Sequence, residues 1–199
     1  IKNKYNIELF YGDNDNIPLR ILNCSKYYNL THIISVDGDD IFTSPKQVKN
    51  IYDEFNKSTE NNLLFTKFLP HGMNVFGFTF KLLEDNYMNV IESYDTGWCA
   101  IFNFDLVNLN SNDKTNIKAK NVKIKEIKDN FKYDNYDKLR FTLDYELDFN
   151  LLKYILENID FNSTDEEIIK YANKNQLYNI NKDIIDQWYN VFLKNKNNN

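Results

Sequence analysis

Apolar residues along this chain occur either in short continuous runs or at spacings of three and four, which predicts strands alternating with helices. Continuous runs over Ile7 to Tyr11, His32 to Val36 and Leu63 to Phe68 predict strands. Between the first two runs, apolar residues recur at helical spacing from Pro18 to Tyr28, so the pattern predicts a β-α-β unit. This alternation is typical of an α/β protein built around a sheet.

Capping signals mark the starts of two later helices. Ser44 stands at an N-cap position, Pro45 at the first helical position and Gln47 three residues after the cap, which is a capping-box pattern. A second such pattern runs from Ser163 to Glu166. The other predicted elements are strands over residues 74–80, 121–127 and 138–144 and helices over residues 81–92, 146–158 and 182–193.

Composition narrows the class of protein. A chain of 199 residues with 42% apolar residues is long enough to bury one core. The formal net charge of −5 argues against nucleic acid or an anionic membrane surface as a partner. Two distant cysteines and two histidines argue against a disulfide framework or a zinc site. No apolar segment approaches the roughly 20 residues of a membrane span and no signal-peptide pattern opens the chain, so we expect a cytoplasmic protein.

Aspartates follow two of the predicted strands. Asp37, Asp39 and Asp40 come directly after the strand at residues 32–36, and Asp144 ends the strand "RFTL". Ligands of open α/β sheets bind beyond the carboxyl ends of strands, so the two groups are expected to meet there and hold a hard cation such as Mg²⁺. The structural alternative stays open, because Asp-Gly is common in turns and Asp144 would serve as the N-cap of the next helix.

Asp148, four residues after Asp144, would face the same way as Asp144 if this segment is helical, whereas the structural alternative is an exposed aspartate in the first helical turn that compensates the helix dipole.

Three stretches taken in order resemble one enzyme family. They are "FYGDNDNIPLRILNCSKYYNLTHIISVDGDDIFTSP", "LPHGMNVFGFTFKLL" and "LRFTLDYELDFNLLKYIL". Together they resemble the cytidylyltransferase superfamily of spore-coat polysaccharide biosynthesis proteins and of the CMP-3-deoxy-manno-octulosonate and CMP-acylneuraminate synthetases. The most specific part is "RFTLDYELD", which is similar to the family's Arg-x-Thr-x-Asp-x-x-x-Asp motif.

The resemblance implies a fold and an activity. The fold is an α/β, three-layer GT-A-like nucleotidyltransferase fold with a mixed, mainly parallel sheet and C-terminal helices. It would divide the chain into a cytidylyltransferase-like domain over residues 1–160 and a helical extension over residues 161–199. The activity is transfer of a cytidylyl group from CTP to an acidic sugar or related acceptor, with Mg²⁺ as cofactor and release of pyrophosphate, in cell-surface polysaccharide biosynthesis.

Residue by residue, the resemblance also implies a site. Asp39 and Asp144 fall on the metal-binding and catalytic aspartates, and Asp37 could add a carboxylate. Arg20 and Asp15 lie in a region similar to one near the nucleotide. Substrate-binding residues are expected at Pro70, His71, Gly72, Asp95, Trp98 and Arg140. The structural alternatives are a turn at residues 70–72, a core tryptophan and a surface histidine.

The beginning of the chain departs from the family pattern. The family opens with a strand and a phosphate-binding loop, and nothing before Ile7 resembles them. We therefore expect the chain as given to be an incomplete, inactive fragment that binds CTP weakly or not at all. The partners implied are CTP, an acidic sugar or a phosphoryl or phosphonate acceptor, and a second copy of the chain, since relatives often form homodimers.

Two other functions stay open at the level of sequence. A GT-A glycosyltransferase would use Asp37-Gly-Asp39 as an Asp-x-Asp metal site and release a nucleoside diphosphate instead of pyrophosphate. A binding or assembly module of the same fold would release neither product.

Overall fold

The computed structural model describes residues 2–87, 121–128, 133–185 and 187. These residues form helices α1 (Lys2–Tyr5), α2 (Ile17–Tyr27), α3 (Pro45–Lys57), α4 (Phe80–Asn86), α5 (Glu146–Asn158) and α6 (Asp165–Lys174). The strands are β1 (His32–Ser35), β2 (Leu63–Lys67), β3 (Phe76–Thr79) and β4 (Ile124–Lys128). Two 3-10 helices lie at Tyr136–Lys138 and Leu177–Asn179.

The four described strands form one mixed sheet in the order β1-β3-β2-β4. Thr66 N donates to Val75 O and Thr79 N donates to Asn62 O, so β2 and β3 are antiparallel. A bond from Phe80 N to Thr31 O joins the end of β3 to the start of β1, which makes that pair antiparallel too.

The starts of β2 and β4 are paired with each other. Leu63 N donates to Lys123 O, and near the other end of these strands Lys67 Nζ lies 3.4 Å from Glu126 Oε1, so β2 and β4 are parallel. Three of the four described strands thus run in one direction, while two of the three neighbouring pairs are antiparallel. The predicted α/β class and the mixed sheet are confirmed, but among the described strands the pairing is not mainly parallel.

Most predicted elements form where local signals place them. Helix α5 has the bounds predicted from its apolar spacing. Helix α2 begins after Asn16, whose side chain accepts from Leu19 N at 2.9 Å, with Pro18 in the first turn. Strands β1 to β4 and helices α3 and α4 overlap their predicted ranges, although the predicted remainder of α4 and most of the last predicted helix lie outside the described residues.

Two predicted strands are wrong. Residues 7–11 form no strand, and Tyr11 is 89% exposed, because apolar residues in sequence make a strand only where a neighbouring backbone supplies hydrogen bonds. Within residues 138–144, only Arg140 pairs as in a sheet, through an isolated parallel bridge to His71. Their backbone bonds go to two turns instead, from Phe141 N to His71 O and from Leu143 N to Asp39 O.

The second capping box lies one residue later than predicted. Thr164 caps α6 and accepts from Glu167 N, while Glu167 Oε2 accepts from Thr164 N. Ser and Thr are both favoured N-caps, and each is followed three residues later by a glutamate here, so sequence alone could not choose between the two registers.

The chain divides into two compact units. The first contains residues 1–34, 53–64 and 77–125, and the second contains residues 35–52, 65–76 and 126–199. In the second unit, α5 and α6 share one core, formed by Phe42, Leu69, Met73, Tyr133, Leu139, Phe141, Leu151, Leu152, Ile155, Ile168, Ile169, Ala172 and Leu177. The predicted boundary between residues 160 and 161 stays a prediction.

Among the described residues, no helix combines the length and the apolar character that crossing a membrane would require.

Ser44 links two helix starts inside the second unit. Its buried hydroxyl accepts from Gln47 N at 3.1 Å, which confirms it as the N-cap of α3. The same hydroxyl donates to the buried carboxylate of Asp165 in the first turn of α6. One side chain therefore caps one helix and supplies a hydrogen bond to the start of another.

We predict that Ser44→Ala lowers the free energy of unfolding by about 2–3 kcal/mol, from the lost cap and the lost donor to a buried carboxylate. Thr164→Ala, which removes the exposed cap of α6, should cost only about 1 kcal/mol. Urea denaturation of both variants measures the difference. An equal or smaller loss in Ser44→Ala would contradict the structural role assigned to the Asp165 bond.

Candidate functional site

The aspartates after β1 occupy a hydrogen-bonded turn. Asp40 N donates to Asp37 O at 3.2 Å, and the Thr43 hydroxyl donates to Asp40 O at 2.8 Å. The turn interpretation is therefore correct for the backbone. Within this turn Asp39 is exposed, whereas Asp37 and Asp40 are half-buried.

The same turn contacts the segment that carries Asp144. Leu143 N, one residue before Asp144, donates to Asp39 O at 3.0 Å. The side chain of Thr142 hydrogen-bonds the carboxylate of Asp40. Two acidic segments more than a hundred residues apart in sequence thus meet within the second unit. We call Asp37, Asp39, Asp40 and Asp144 the acidic cluster.

The members of the acidic cluster affect one another electrostatically. The pKa of Asp40 is raised to about 6, mainly by burial and also by the charges of Asp37, Asp39 and Asp144, while the Thr142 hydrogen bond opposes the rise. Burial, and then the charge of Asp39, also raises the pKa of Asp37. Negative charge is therefore concentrated at one place, where a cation would be attracted.

Arg140 lies behind Asp144. Its guanidinium is 3% exposed and donates through Nη2 to Asp144 Oδ2 and through Nη1 to Asp148 Oδ2. The guanidinium also lies over the ring of Tyr145, 5.7 Å from its centroid. Because both terminal nitrogens are bonded to carboxylates, the geometry gives Arg140 the role of orienting Asp144. Its predicted contact with substrate stays a prediction.

Asp148 is buried at 0% exposure, so the alternative of an exposed, dipole-compensating residue is wrong. Its Oδ2 accepts from the backbone nitrogens of Asp144 and Tyr145 at 3.2 and 3.1 Å, at the start of α5. Tyr145, not Asp144, is the N-cap of this helix. The motif Arg-x-Thr-x-Asp-x-x-x-Asp therefore places its last aspartate inward, where it fixes the arginine and the helix start together.

The turn at residues 70–72 packs against the same segment. His71 O accepts from Phe141 N at 2.7 Å, and Gly72 adopts a φ of +89°. A Cβ at Gly72 would lie 2.6 Å from the carbonyl carbon of Phe141 and 2.7 Å from Thr142 N. Of the predicted substrate-binding residues, Pro70, His71 and Gly72 thus lie beside Arg140.

Of the remaining predicted residues, two belong to the other unit and two lie outside the described residues. Arg20 and Asp15 belong to the first unit, where Arg20 Nη1 donates to the carbonyls of Asp13 and Asn14 at 2.9 and 3.3 Å. Asp95 and Trp98 lie outside the described residues. The roles of all four stay predictions.

The donor chemistry of the acidic cluster fits Mg²⁺, because Mg²⁺ prefers oxygen ligands and its charge would offset the repulsion among these carboxylates. Within the described ranges, no group of three or more His, Cys, Asp and Glu side chains could hold a metal ion unaided. Such a site would take one or two carboxylates and complete its shell with water and substrate phosphates, as Mg²⁺ sites commonly do. Asp39 and Asp144 are the residues expected to hold it.

The sequence predicts Asp40 as one of the acidic residues after β1 without giving it a role of its own, and in the structure its contacts with Thr142 and the other carboxylates distinguish it. Asn181 gave no signal at all, because its partners lie 33 and 41 residues away along the chain.

Comparisons with known proteins support the fold. No family model matches the chain. The chain is 27% identical over 197 residues to the uncharacterized protein MJ1063 of Methanocaldococcus jannaschii, covering 94% of this chain and 72% of that protein. The structure of the present chain is similar to that of a cytidylyltransferase from Leptospira borgpetersenii serovar Hardjo-bovis, with a TM-score of 0.67 and 20% identity, over 89% of this chain and 70% of the other. The chain therefore shares the fold of a cytidylyltransferase.

We predict that Gly72→Ala destabilises the protein by more than about 2 kcal/mol, since the new Cβ would meet backbone atoms at a positive φ. Gly38→Ala, in the acidic turn, has open space around its Cβ and should be tolerated. Thermal and urea unfolding of the two variants provides a matched comparison. Equal stability of the two variants would contradict the close packing of residues 70–72 on residues 141–142.

The stability of the folded protein is expected to depend on pH through His71. Burial, and then the charge of Arg140, lowers the pKa of His71 to about 4 against opposing effects of Asp144 and Asp148. Unfolding returns this pKa to about 6.5, so the unfolded chain binds the extra proton and stability falls as the pH drops from 6.5 towards 4.

His71→Gln should reduce this loss of stability by up to about 3 kcal/mol, because the glutamine amide takes up no proton. The exposed His32→Gln variant is the control and should keep the slope of the wild type. Urea denaturation at several pH values between 7 and 4.5 measures both slopes. Parallel curves for the wild type and His71→Gln would refute a neutral His71 in the folded protein.

Proposed function

We propose that the protein is a Mg²⁺-dependent cytidylyltransferase that transfers the cytidylyl group of CTP to an acceptor and releases pyrophosphate. The observation that carries the proposal is the meeting of the turn at residues 37–40 with the segment at residues 140–148, in a chain with the fold of a cytidylyltransferase. Acidic residues from two distant segments then offer oxygen ligands at one place.

The residues of the chain would act mainly by positioning and by charge. Asp39 and Asp144 would hold the cation, and Asp37 would add the negative charge of a carboxylate beside them. Mg²⁺, when bound, neutralises charge on the phosphates of CTP. Arg140 keeps the carboxylate of Asp144 in place through its bond to Oδ2. An acceptor oxygen attacks the α-phosphorus, the bond from that phosphorus to the bridging oxygen breaks, and pyrophosphate leaves.

The acceptor is proposed to be an acidic sugar or a related phosphoryl or phosphonate compound used in cell-surface polysaccharide biosynthesis. This part rests on the resemblance of "LPHG" and "FGF" to acceptor-facing parts of the family. The position of His71 beside Arg140 supports an acceptor site near the acidic cluster. The three-layer GT-A-like arrangement and a homodimer belong to the same proposal.

A product assay separates the proposal from its alternatives. The full-length protein is incubated with CTP, Mg²⁺ and a panel of acidic sugars, and pyrophosphate is measured, with ATP, GTP and UTP as controls. Pyrophosphate release that depends on CTP and acceptor supports a cytidylyltransferase. Release of a nucleoside diphosphate from a nucleotide-sugar would instead support a GT-A glycosyltransferase. Nucleotide binding without either product would support a binding module.

We predict that Asp39→Asn and Asp144→Asn each reduce Mg²⁺-dependent pyrophosphate release by at least about a hundredfold, because each removes a carboxylate from the proposed metal site. Asp39 is exposed, so Asp39→Asn should leave thermal stability nearly unchanged. Asp144→Asn should cost some stability, because the buried Arg140 loses one charged partner while keeping Asp148. Full activity in folded Asp39→Asn would refute the assignment.

A further inference from the structure

We infer that Asn181 is a positioning residue of the site. It fixes the buried carboxylate of Asp148, which fixes Arg140, which in turn fixes the carboxylate of Asp144. The inference rests on the proposed function, because it takes Asp144 as a ligand of the cation. It adds a residue that lies outside the motif and close to the end of the described chain.

Asn181 is completely buried and makes two hydrogen bonds through one nitrogen. Its Nδ2 donates to Asp148 Oδ1 at 2.8 Å and to the carbonyl of Arg140 at 3.0 Å. Both partners are oxygen acceptors, so the orientation of the amide follows from chemistry: the reverse orientation would point Oδ1 at two oxygens. One side chain thus holds both the backbone of Arg140 and the carboxylate that binds its guanidinium.

Asp148 divides its two oxygens between two tasks. Oδ1 accepts from Asn181, whereas Oδ2 accepts from Arg140 and from the backbone nitrogens of Asp144 and Tyr145. A carboxylate held at only one oxygen could rotate about its Cβ–Cγ bond. The bond from Asn181 opposes that rotation and so keeps Oδ2 directed at Arg140.

Arg140 carries this restraint to the acidic cluster. One terminal nitrogen is bonded to the buried Asp148 and the other to Asp144, whose side chain is 40% exposed. The chain of bonds therefore begins at a fully buried amide and ends at a carboxylate that solvent and a cation can reach. Groups that orient a metal ligand in this way commonly affect metal affinity by about 10- to 100-fold.

The residue type at position 181 matters for the same reason. An aspartate there would place a second negative charge beside Asp148, and an alanine would leave Asp148 Oδ1 without this donor. Either change loosens Arg140 without touching Asp39, Asp144 or any atom expected to contact CTP. The expected defect is therefore in binding the cation.

The test titrates the full-length protein with Mn²⁺ alone and measures free Mn²⁺ by electron paramagnetic resonance. We expect Asn181→Ala to raise the dissociation constant by about 10- to 100-fold. Asn181→Ser, which keeps a hydroxyl donor on a shorter arm, should fall between Asn181→Ala and the wild type, and it replaces Asn181→Ala if that variant does not fold.

Two controls separate positioning from a loss of stability. Leu177→Ala removes a buried core side chain from the same segment without touching the hydrogen bonds of Asn181, so it should lower thermal stability and leave Mn²⁺ binding unchanged. Asn179→Ala removes an exposed amide two residues from Asn181 and should change neither property. An equal effect of Leu177→Ala and Asn181→Ala on Mn²⁺ binding would show that Asn181 acts only through stability and would overturn the inference.

A double variant tests the route through Asp144. In an Asp144→Asn background the carboxylate to be positioned is absent, so adding Asn181→Ala should weaken Mn²⁺ binding no further. Additive effects would mean that Asn181 acts elsewhere and would overturn the inference. A wild-type protein that does not bind Mn²⁺ would overturn the proposed metal site itself. Normal Mn²⁺ binding by both the wild type and Asn181→Ala would overturn only the inference about Asn181.

Discussion

The buried ion pair between Arg140 and Asp148 is the interaction on which the rest of the site depends. Both side chains are removed from solvent, and a buried charge is tolerated only when hydrogen bonds and an opposite charge surround it. Breaking such a pair by removing one partner commonly costs about 3–5 kcal/mol. The segment from Arg140 to Asp148 is therefore held in one conformation, and everything bonded to it is held as well.

Two turns are hydrogen-bonded to that segment. Phe141 N binds the carbonyl of His71, and Leu143 N binds the carbonyl of Asp39, so two loops are anchored to consecutive parts of one extended backbone. A regular strand at this place would direct these donors to another strand instead. The irregular backbone of residues 139–145 is thus what allows an acidic turn and a His-Gly turn to lie on the same segment.

The chemistry of the site follows from this arrangement of charge. Asp144 is hydrogen-bonded to the guanidinium of Arg140, while the carboxylates of residues 37–40 concentrate negative charge nearby. An enzyme that binds a nucleotide through a divalent cation needs oxygen ligands that are both concentrated and fixed. The segment from Arg140 to Asp148 fixes the carboxylate of Asp144, and the turn at residues 37–40 concentrates negative charge. The proposed function draws on both.

The sequence by itself determined the local structure and the chemical types. Apolar spacing and caps were enough to predict α2, α3 and α5, and the aspartates of "DGDD" and "RFTLD" were visible as acidic groups after apolar runs. These signals are local, since periodicity and capping depend on residues a few positions apart.

Only the tertiary structure decided which polar groups are buried and what they contact. Asp148 is four residues from Asp144, yet it is buried and its Oδ1 accepts from Asn181, 33 residues further along the chain. Likewise, residues 138–144 have the composition of a strand, but their hydrogen bonds go to turns near His71 and Asp39. Long-range contacts of this kind leave no periodic trace in the sequence, because burial and pairing are set by the whole fold and not by neighbouring residues.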